Sequence, residues 1–119
     1  MDSNLTSRYN EDAQYKAISG TLGKDSKIHD IWVQHFEVGM WIGDYDQTGN
    51  MKYTDGLVVE NARIRNNLAD GINFAQGTKN STVKNSNIRG NGDDGLAIWS
   101  SISDGTNASA EENNKFLNN

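Results

Sequence analysis

Apolar residues along this chain come in short alternating runs, and the runs recur in register. The segment VVENARIRNNLADGINF (Val58 to Phe74) lies over TVKNSNIRGNGDDGLAI (Thr82 to Ile98) at a constant offset of 24. Val59 then stands over Val83, Ile64 over Ile88, Ile72 over Leu96 and Phe74 over Ile98. Between them Asn61 matches Asn85, Arg65 matches Arg89, Asn67 matches Asn91, Asp70 matches Asp94 and Gly71 matches Gly95. Alternation with a period of two turns one set of side chains inward along a strand, and Asn and Gly supply the corners. A repeat of this length built from such pieces predicts stacked β coils.

The repeat extends in both directions. Upstream, Ile28, Asp30, Val33, Gly39, Met40 and Ile42 map onto Val59, Asn61, Ile64, Gly71, Ile72 and Phe74, at an offset of 31 that becomes 32 after a one-residue deletion. Downstream, Asn113, Phe116 and Asn119 map onto Asn85, Ile88 and Asn91 at an offset of 28. This predicts two asparagine columns, Asn61–Asn85–Asn113 and Asn67–Asn91–Asn119, whose amides bond along the stack. No segment of this region offers a strong amphipathic helix, which argues against an ordinary α/β fold. The expected fold is therefore all-β, a right-handed parallel β-helix of roughly four to five coils. Its coils fall at about 28–56, 57–80, 81–108 and 109–119, with 1–27 a preceding coil or cap. Arg8 to Gly20 is compatible with a short helix or with an earlier coil holding Ala17 and Ile18 inside. The repeat stops in mid-coil at Leu117-Asn118-Asn119, which reads as a fragment of a longer β-helix. Open coils present strand edges and apolar surface, so end-to-end self-association is expected.

Composition narrows the function. A hydrophobic content of 34% and a mean hydropathy of −0.76 are lean for a compact globule but suit a narrow solenoid core. A net charge of −5 argues against nucleic acid or an anionic membrane as partner. The absence of cysteine excludes a disulfide scaffold and a thiolate site, and the absence of proline fits a chain whose backbone N–H groups are nearly all used. Neither a membrane-length apolar run nor a signal peptide is visible.

The chemistry lies in the acidic segments. Equivalent positions of successive coils stand about 4.8 Å apart, so Asp70 and Asp94 stack, with Asp93 one residue to the side. Their parity places Asp70 and Asp94 on the outer face, and three carboxyls so close predict that one holds a proton near neutral pH. One protonated acid beside a carboxylate that activates water is the requirement for glycoside hydrolysis. A duplicated Asp-Gly alone is explained by turn chemistry. The extra Asp93 is what a turn does not need.

These residues also resemble a family. LADGINF followed by NGDDGLAIW is similar to the paired signature of inverting β-helix glycoside hydrolases, written in polygalacturonases as Asn-Thr-Asp-Gly and then Asp-Asp. The wording from Ile28 to Trp99 looks closer to bacterial α-1,3-glucanases (mutanases) and the related mycodextranases. Leu68-Ala69 replace Asn-Thr, Gly95 replaces the usual cysteine, and neither the Gly-His-Gly nor the Arg-x-Lys element is present. Without that basic element a uronate substrate is disfavoured. The resemblance implies Asp93 as general acid and Asp70 with Asp94 as the pair that activates water, with inversion at the anomeric carbon. It also implies a carboxyl separation of about 6.5–9.5 Å, a neutral α-glucan as the polysaccharide partner, no cofactor needed for catalysis, and a secreted, extracellular protein. Spacing alone leaves the roles of the adjacent pair interchangeable.

Around this patch, Trp41 aligns with Asn73 and Ala97 at an outward position, and Trp99 is outward by the same parity. Trp41, Asn73 and Trp99 are thus candidate sugar contacts, tryptophan suiting the C–H face of a pyranose; packing beneath a loop competes as an explanation. His29 and His35 read as surface or polar-core residues, and Arg65 with Arg89 as a solvent-facing column opposite acidic neighbours. The loop from Asp44 to Asp55 fits a twelve-position calcium pattern, with Asp44, Asp46 and Asp55 as acids, Thr48 as oxygen ligand and Gly49 at the turn. Lys52, the Asp at the last position and the lack of flanking helices weigh against it, and a bound Ca2+ would be structural. The reading is an endo-acting inverting glycoside hydrolase on α-1,3-glucan. The alternative is a non-catalytic β-helix fragment serving as scaffold or carbohydrate-binding surface, with a polysaccharide lyase a weaker third.

Overall fold

The structure, a computed structural model, describes residues 1–43, 51–100 and 110–119. Among these residues eleven short strands follow one 3-10 turn at Ser7–Tyr9: β1 (Lys16–Gly20), β2 (Lys27–His29), β3 (Trp32–Gln34), β4 (Val38–Ile42), β5 (Val58–Glu60), β6 (Arg63–Arg65), β7 (Ile72–Ala75), β8 (Thr82–Lys84), β9 (Asn87–Arg89), β10 (Leu96–Trp99) and β11 (Lys115–Leu117). They form three parallel sheets, β1-β4-β7-β10, β2-β5-β8-β11 and β3-β6-β9. The chain visits the three sheets in turn and rises one strand per circuit, which is a parallel β-helix. Among the described residues no helix is long and apolar enough to cross a membrane.

The upstream register is as the pattern predicts: Ile28 pairs with Val59, Val33 with Ile64, Met40 with Ile72 and Ile42 with Phe74. These residues make inward columns, and Val33, Met40, Ile42, Val59, Ile64, Ile72, Phe74 and Val83 are all fully buried. The N-terminal stretch does both things considered for it. It makes a 3-10 turn and then β1, whose Ile18 pairs with Met40 and packs with Ala17 against the core.

The corners explain the asparagines. Asp30, Asn61, Asn85 and Asn118 all lie at φ between 50° and 55°, as do Asn80 and Asn113 at the preceding corner. Asn and Asp tolerate this left-handed backbone better than other side chains. Their side chains ladder between coils: Asn61 donates to Asp30, and Asn113 Nδ2 donates to Asn80 Oδ1 at 3.2 Å. Inside, Asn67 Nδ2 donates to Asn91 Oδ1 at 2.9 Å while Asn67 Oδ1 accepts from the Phe36 N–H at 3.0 Å.

The downstream register differs from the expected offset. Phe116 pairs with Val83, an offset of 33, so Asn113 stacks on Asn80 rather than Asn85, and Asn119 bonds Ser86 rather than joining Asn91. The cause is a short internal echo. Asn80-Ser-Thr-Val83 and Asn85-Ser-Asn-Ile88 carry the same corner-then-apolar pattern five residues apart, and Asn113-Asn-Lys-Phe116 fits either.

Candidate active site

Asp70 precedes β7 and Asp94 precedes β10, and main-chain bonds lock the two approaches together. Gly71 N donates to Asp94 O at 2.9 Å, Ile72 N to Gly95 O at 3.0 Å, and Gly92 N to Ala69 O at 3.1 Å. The glycines here are spacers between coils. A Cβ on Gly71 would stand 2.5 Å from Gly95 O and 2.6 Å from Ile88 Cγ2, and one on Gly39 would stand 2.4 Å from Gly71 O. Gly71 and Gly95 are absent from the positive-φ positions, so the duplicated Asp-Gly is not the tight turn it resembles.

The packing brings the three aspartates together: one carboxylate oxygen from each of Asp70, Asp93 and Asp94 lies within 4.8 Å of the others. Asp93 and Asp94 are exposed, whereas Asp70 is only 8% exposed, so its outward position is largely roofed by the coil above. Both Asp70 oxygens accept hydrogen bonds, Oδ2 from Asn73 Nδ2 at 2.7 Å and Oδ1 from the Asp94 N–H at 3.2 Å. Asn73, 4% exposed, thus fixes the orientation of the Asp70 carboxylate.

A cavity of about 340 Å³ opens over the trio, walled by Glu37, Trp41, Asn73 and Trp99. Trp41 pairs in register with Asn73, as aligned, and meets Trp99 with ring centroids 5.7 Å apart at 57°. Tilted so, the rings form a wall with two differently inclined faces instead of one flat platform.

Over residues 3–119 the sequence matches the family described as alpha-1,3-glucanase catalytic domain D2. The chain belongs to that family. It is also similar to a solved structure, "Crystal structure of Agl-KA catalytic domain", with 59% identity and a TM-score of 0.85 over 98% of this chain. The match covers 20% of that chain, so the D2 segment spans about a fifth of its relative. A comparison with curated proteins found no match.

Glu37 is the cavity residue of this D2 segment that the sequence reading passed over. Ala69 N donates to Glu37 O and Asp93 N to Ala69 O, so Glu37, Ala69 and Asp93 form one column. The signal was available as the offsets of 32 and then 24 that link positions 37, 69 and 93. Glu37 Oε2 pairs with Lys16 Nζ at 2.9 Å, and that ammonium lies 5.8 Å from the Trp41 ring centroid.

Other expectations fare differently. His29 and His35 each bond an aspartate through Nδ1 at 2.7 Å, to Asp30 and Asp2, away from the trio. Arg65 faces Trp32 and Gln34 instead of an acidic neighbour, its Nε donating to Gln34 Oε1 at 3.0 Å. Of the calcium-loop acids, Asp44 and Asp46 lie outside the described residues. Asp55 Oδ1 accepts from Asn80 Nδ2 at 2.8 Å, a corner-ladder bond. Among the described residues, the three-carboxylate group that could bridge a hard cation is the trio itself.

Proposed function

We propose that this chain carries the acid–base centre of an endo-acting, inverting glycoside hydrolase that cleaves α-1,3-glucan outside the cell. The observation that carries the reading is the convergence of Asp70, Asp93 and Asp94 within 4.8 Å at the floor of a tryptophan-walled cavity. Asp93 donates a proton to the glycosidic oxygen as the bond to the anomeric carbon breaks. Asp70 and Asp94 take the proton of the water that attacks the same carbon from the opposite face. Asp70 suits the water-holding role because Asn73 and the Asp94 amide fix its plane. Among the described residues no hydrogen bond reaches the Asp93 carboxyl, which leaves it free to meet the leaving oxygen. Trp41 and Trp99 stack on successive sugar rings.

Retention is the second stereochemical course that a cluster of carboxyls can follow. Retaining enzymes use two carboxyls about 5–5.5 Å apart, one of them a nucleophile. The third carboxylate supports inversion, because a nucleophile mechanism needs only two. In the enzyme that contains this chain, Asp93→Asn should lower hydrolysis of α-1,3-glucan by about 10²–10⁴-fold with the fold intact. The first-formed reducing end, followed by NMR, should be the β anomer. Ordinary activity in the variant would overturn the assignment of the acid; an α product would replace inversion by retention. Reducing-sugar release by the chain itself, against dextran and polygalacturonate as controls, separates an active segment from a carbohydrate-binding scaffold.

A further inference from the structure

The outer face of the β3-β6-β9 sheet is chemically unlike the rest of the chain. In register, Trp32 pairs with Arg63 and then Asn87, while Gln34 pairs with Arg65 and then Arg89. These six outward side chains form a grid two columns wide and three coils tall. Trp32, Arg63, Arg65, Asn87 and Arg89 of this grid line a cavity of about 620 Å³, to which Asn118 also contributes. The fourth arginine of the chain, Arg8, reaches the same end of the sheet, its Nε donating to Gly90 O at 3.2 Å. Three of the four arginines of a protein with a net charge of −5 thus line one cavity, and the fourth lies at the end of the same sheet.

Several lysines elsewhere on the surface are paired with carboxylates. Lys16 pairs with Glu37, and Lys27 and Lys84 both pair with Glu60. Among the described residues no carboxylate lies within ion-pair reach of any arginine. Asp30, beside Arg63, is already engaged by His29 and Asn61. Like charges facing each other across strands destabilise a sheet, so the Arg65–Arg89 pair is a cost without a visible internal return. The guanidiniums of Arg63 and Arg65 are also held in place. Arg65 lies 4.7 Å and Arg63 5.8 Å from the Trp32 ring centroid, and Gln34 Oε1 accepts from both Trp32 Nε1 and Arg65 Nε.

We propose that this face binds an anionic polysaccharide through its carboxylate groups, at a site separate from the aspartate trio. Charge complementarity selects the anion, and a fixed guanidinium fork matches a carboxylate in bidentate fashion. The neutral part of the lining, Asn61, Asn85, Asn87, Asn118 and Ser86, offers donors and acceptors for sugar hydroxyls. Nucleic acid fits less well, because the aromatic ring it would stack on is occupied by arginine. The site binds and does not cleave, since its lining holds no acid–base pair of carboxyls. It therefore stands or falls independently of the hydrolytic reading.

Affinity electrophoresis of the full chain in gels containing polygalacturonate, dextran or double-stranded DNA tests the assignment. Polygalacturonate should retard the chain in a salt-sensitive way, and dextran and DNA should not. Arg65→Gln/Arg89→Gln should weaken retardation at least tenfold. Lys24→Gln/Lys115→Gln, which removes the same charge elsewhere, and Asp93→Asn should leave it unchanged. Arg89→Gln alone, at an exposed side chain, covers the case in which the double variant misfolds, and should itself weaken retardation several-fold. No retardation by polygalacturonate, equal loss in the lysine variant, or stronger retardation by DNA would overturn the proposal.

Discussion

Replacing Gly71 by alanine separates two explanations of the repeated Asp-Gly. If glycine serves the turn, Gly71 and Gly95 should be equally sensitive. If it serves the approach of coils, only Gly71 matters here. A Cβ at Gly71 would meet Gly95 O at 2.5 Å, Ile88 Cγ2 at 2.6 Å and Asn91 Nδ2 at 2.8 Å, all well inside contact distance. At Gly95 the nearest atom would be Ile88 Cγ2 at 3.6 Å, an ordinary contact. Relief at Gly71 requires the two coils to part by most of an ångström. That stretches the bonds from Gly71 N to Asp94 O and from Ile72 N to Gly95 O, now 2.9 and 3.0 Å. Losing two such bonds costs about 1 kcal/mol each, and residual overpacking about 1–3 kcal/mol more. Gly71→Ala should therefore destabilise the fold by about 3–5 kcal/mol, a drop in Tm of roughly 10–20 °C for a chain of this size. Gly95→Ala should be neutral or stabilising by about 0.4–1 kcal/mol, through the unfolded chain. Circular dichroism melts of the two variants decide it. A Gly71→Ala melt within a degree or two of the parent, or equal losses in both variants, would refute the coil-approach account.

Asn67→Ala should cost about 1–3 kcal/mol in urea denaturation, because it leaves the part-buried Phe36 N–H without its acceptor and removes one of the two bonds to Asn91 Oδ1. Acid should weaken the fold through three surface carboxyls. Asp2, held by Gln34 and then His35, and Asp30, held by His29 and then Asn61, lie below their ordinary value of 3.8; Glu60, held by Lys27 and then Lys84, lies below 4.5. A depressed folded pKa stabilises above the unfolded value and is lost as pH falls through the folded one, so Tm should be level near neutrality and fall below about pH 4.5. Glu60→Gln should soften the upper part of that fall, and an unchanged profile would contradict it. The chain should self-associate with rising concentration through the β10 edge, where Ile98, stacked on buried Phe74, is 49% exposed. Light scattering should show Ile98→Lys with less association than the parent; identical curves would place the contact elsewhere.

The coil register was legible wherever apolar alternation and a left-handed corner recurred at one spacing. Ile28, Val33, Met40 and Ile42 each carry a side chain that only an inward position satisfies, so their mapping had one solution. Phe116 had two, because the echo between Asn80 and Asn85 offers identical local chemistry, and only the three-dimensional stack distinguishes them. Asp70, Asp93 and Asp94 could be read because their spacing departs from what a corner requires. Asn73 was found as an outward residue, but its bond to Asp70 belongs to side-chain geometry that spacing does not encode. The Arg65–Arg89 column was legible from the offsets, but its lack of acidic neighbours was not, because a net charge averages over all sides of the molecule.

The site arises where one column departs from its own pattern coil by coil. The column of Glu37, Ala69 and Asp93 runs beside the column of Val38, Asp70 and Asp94, both carried on main-chain bonds between coils. Carboxyls therefore climb the surface diagonally: one at Glu37, one at Asp70, then two together at Asp93 and Asp94. Ala69 is the small residue in this pattern, and it leaves open the space between Glu37 and Asp93 over which the cavity forms. Glu37 is tied to Lys16, whereas the upper three have no cation within ion-pair distance among the described residues. The repeat thus supplies rigid spacing, and the substitutions along one edge supply the chemistry. Glu37, tied to Lys16, and Trp41 stand at the wall of the cavity over which the upper three carboxyls converge.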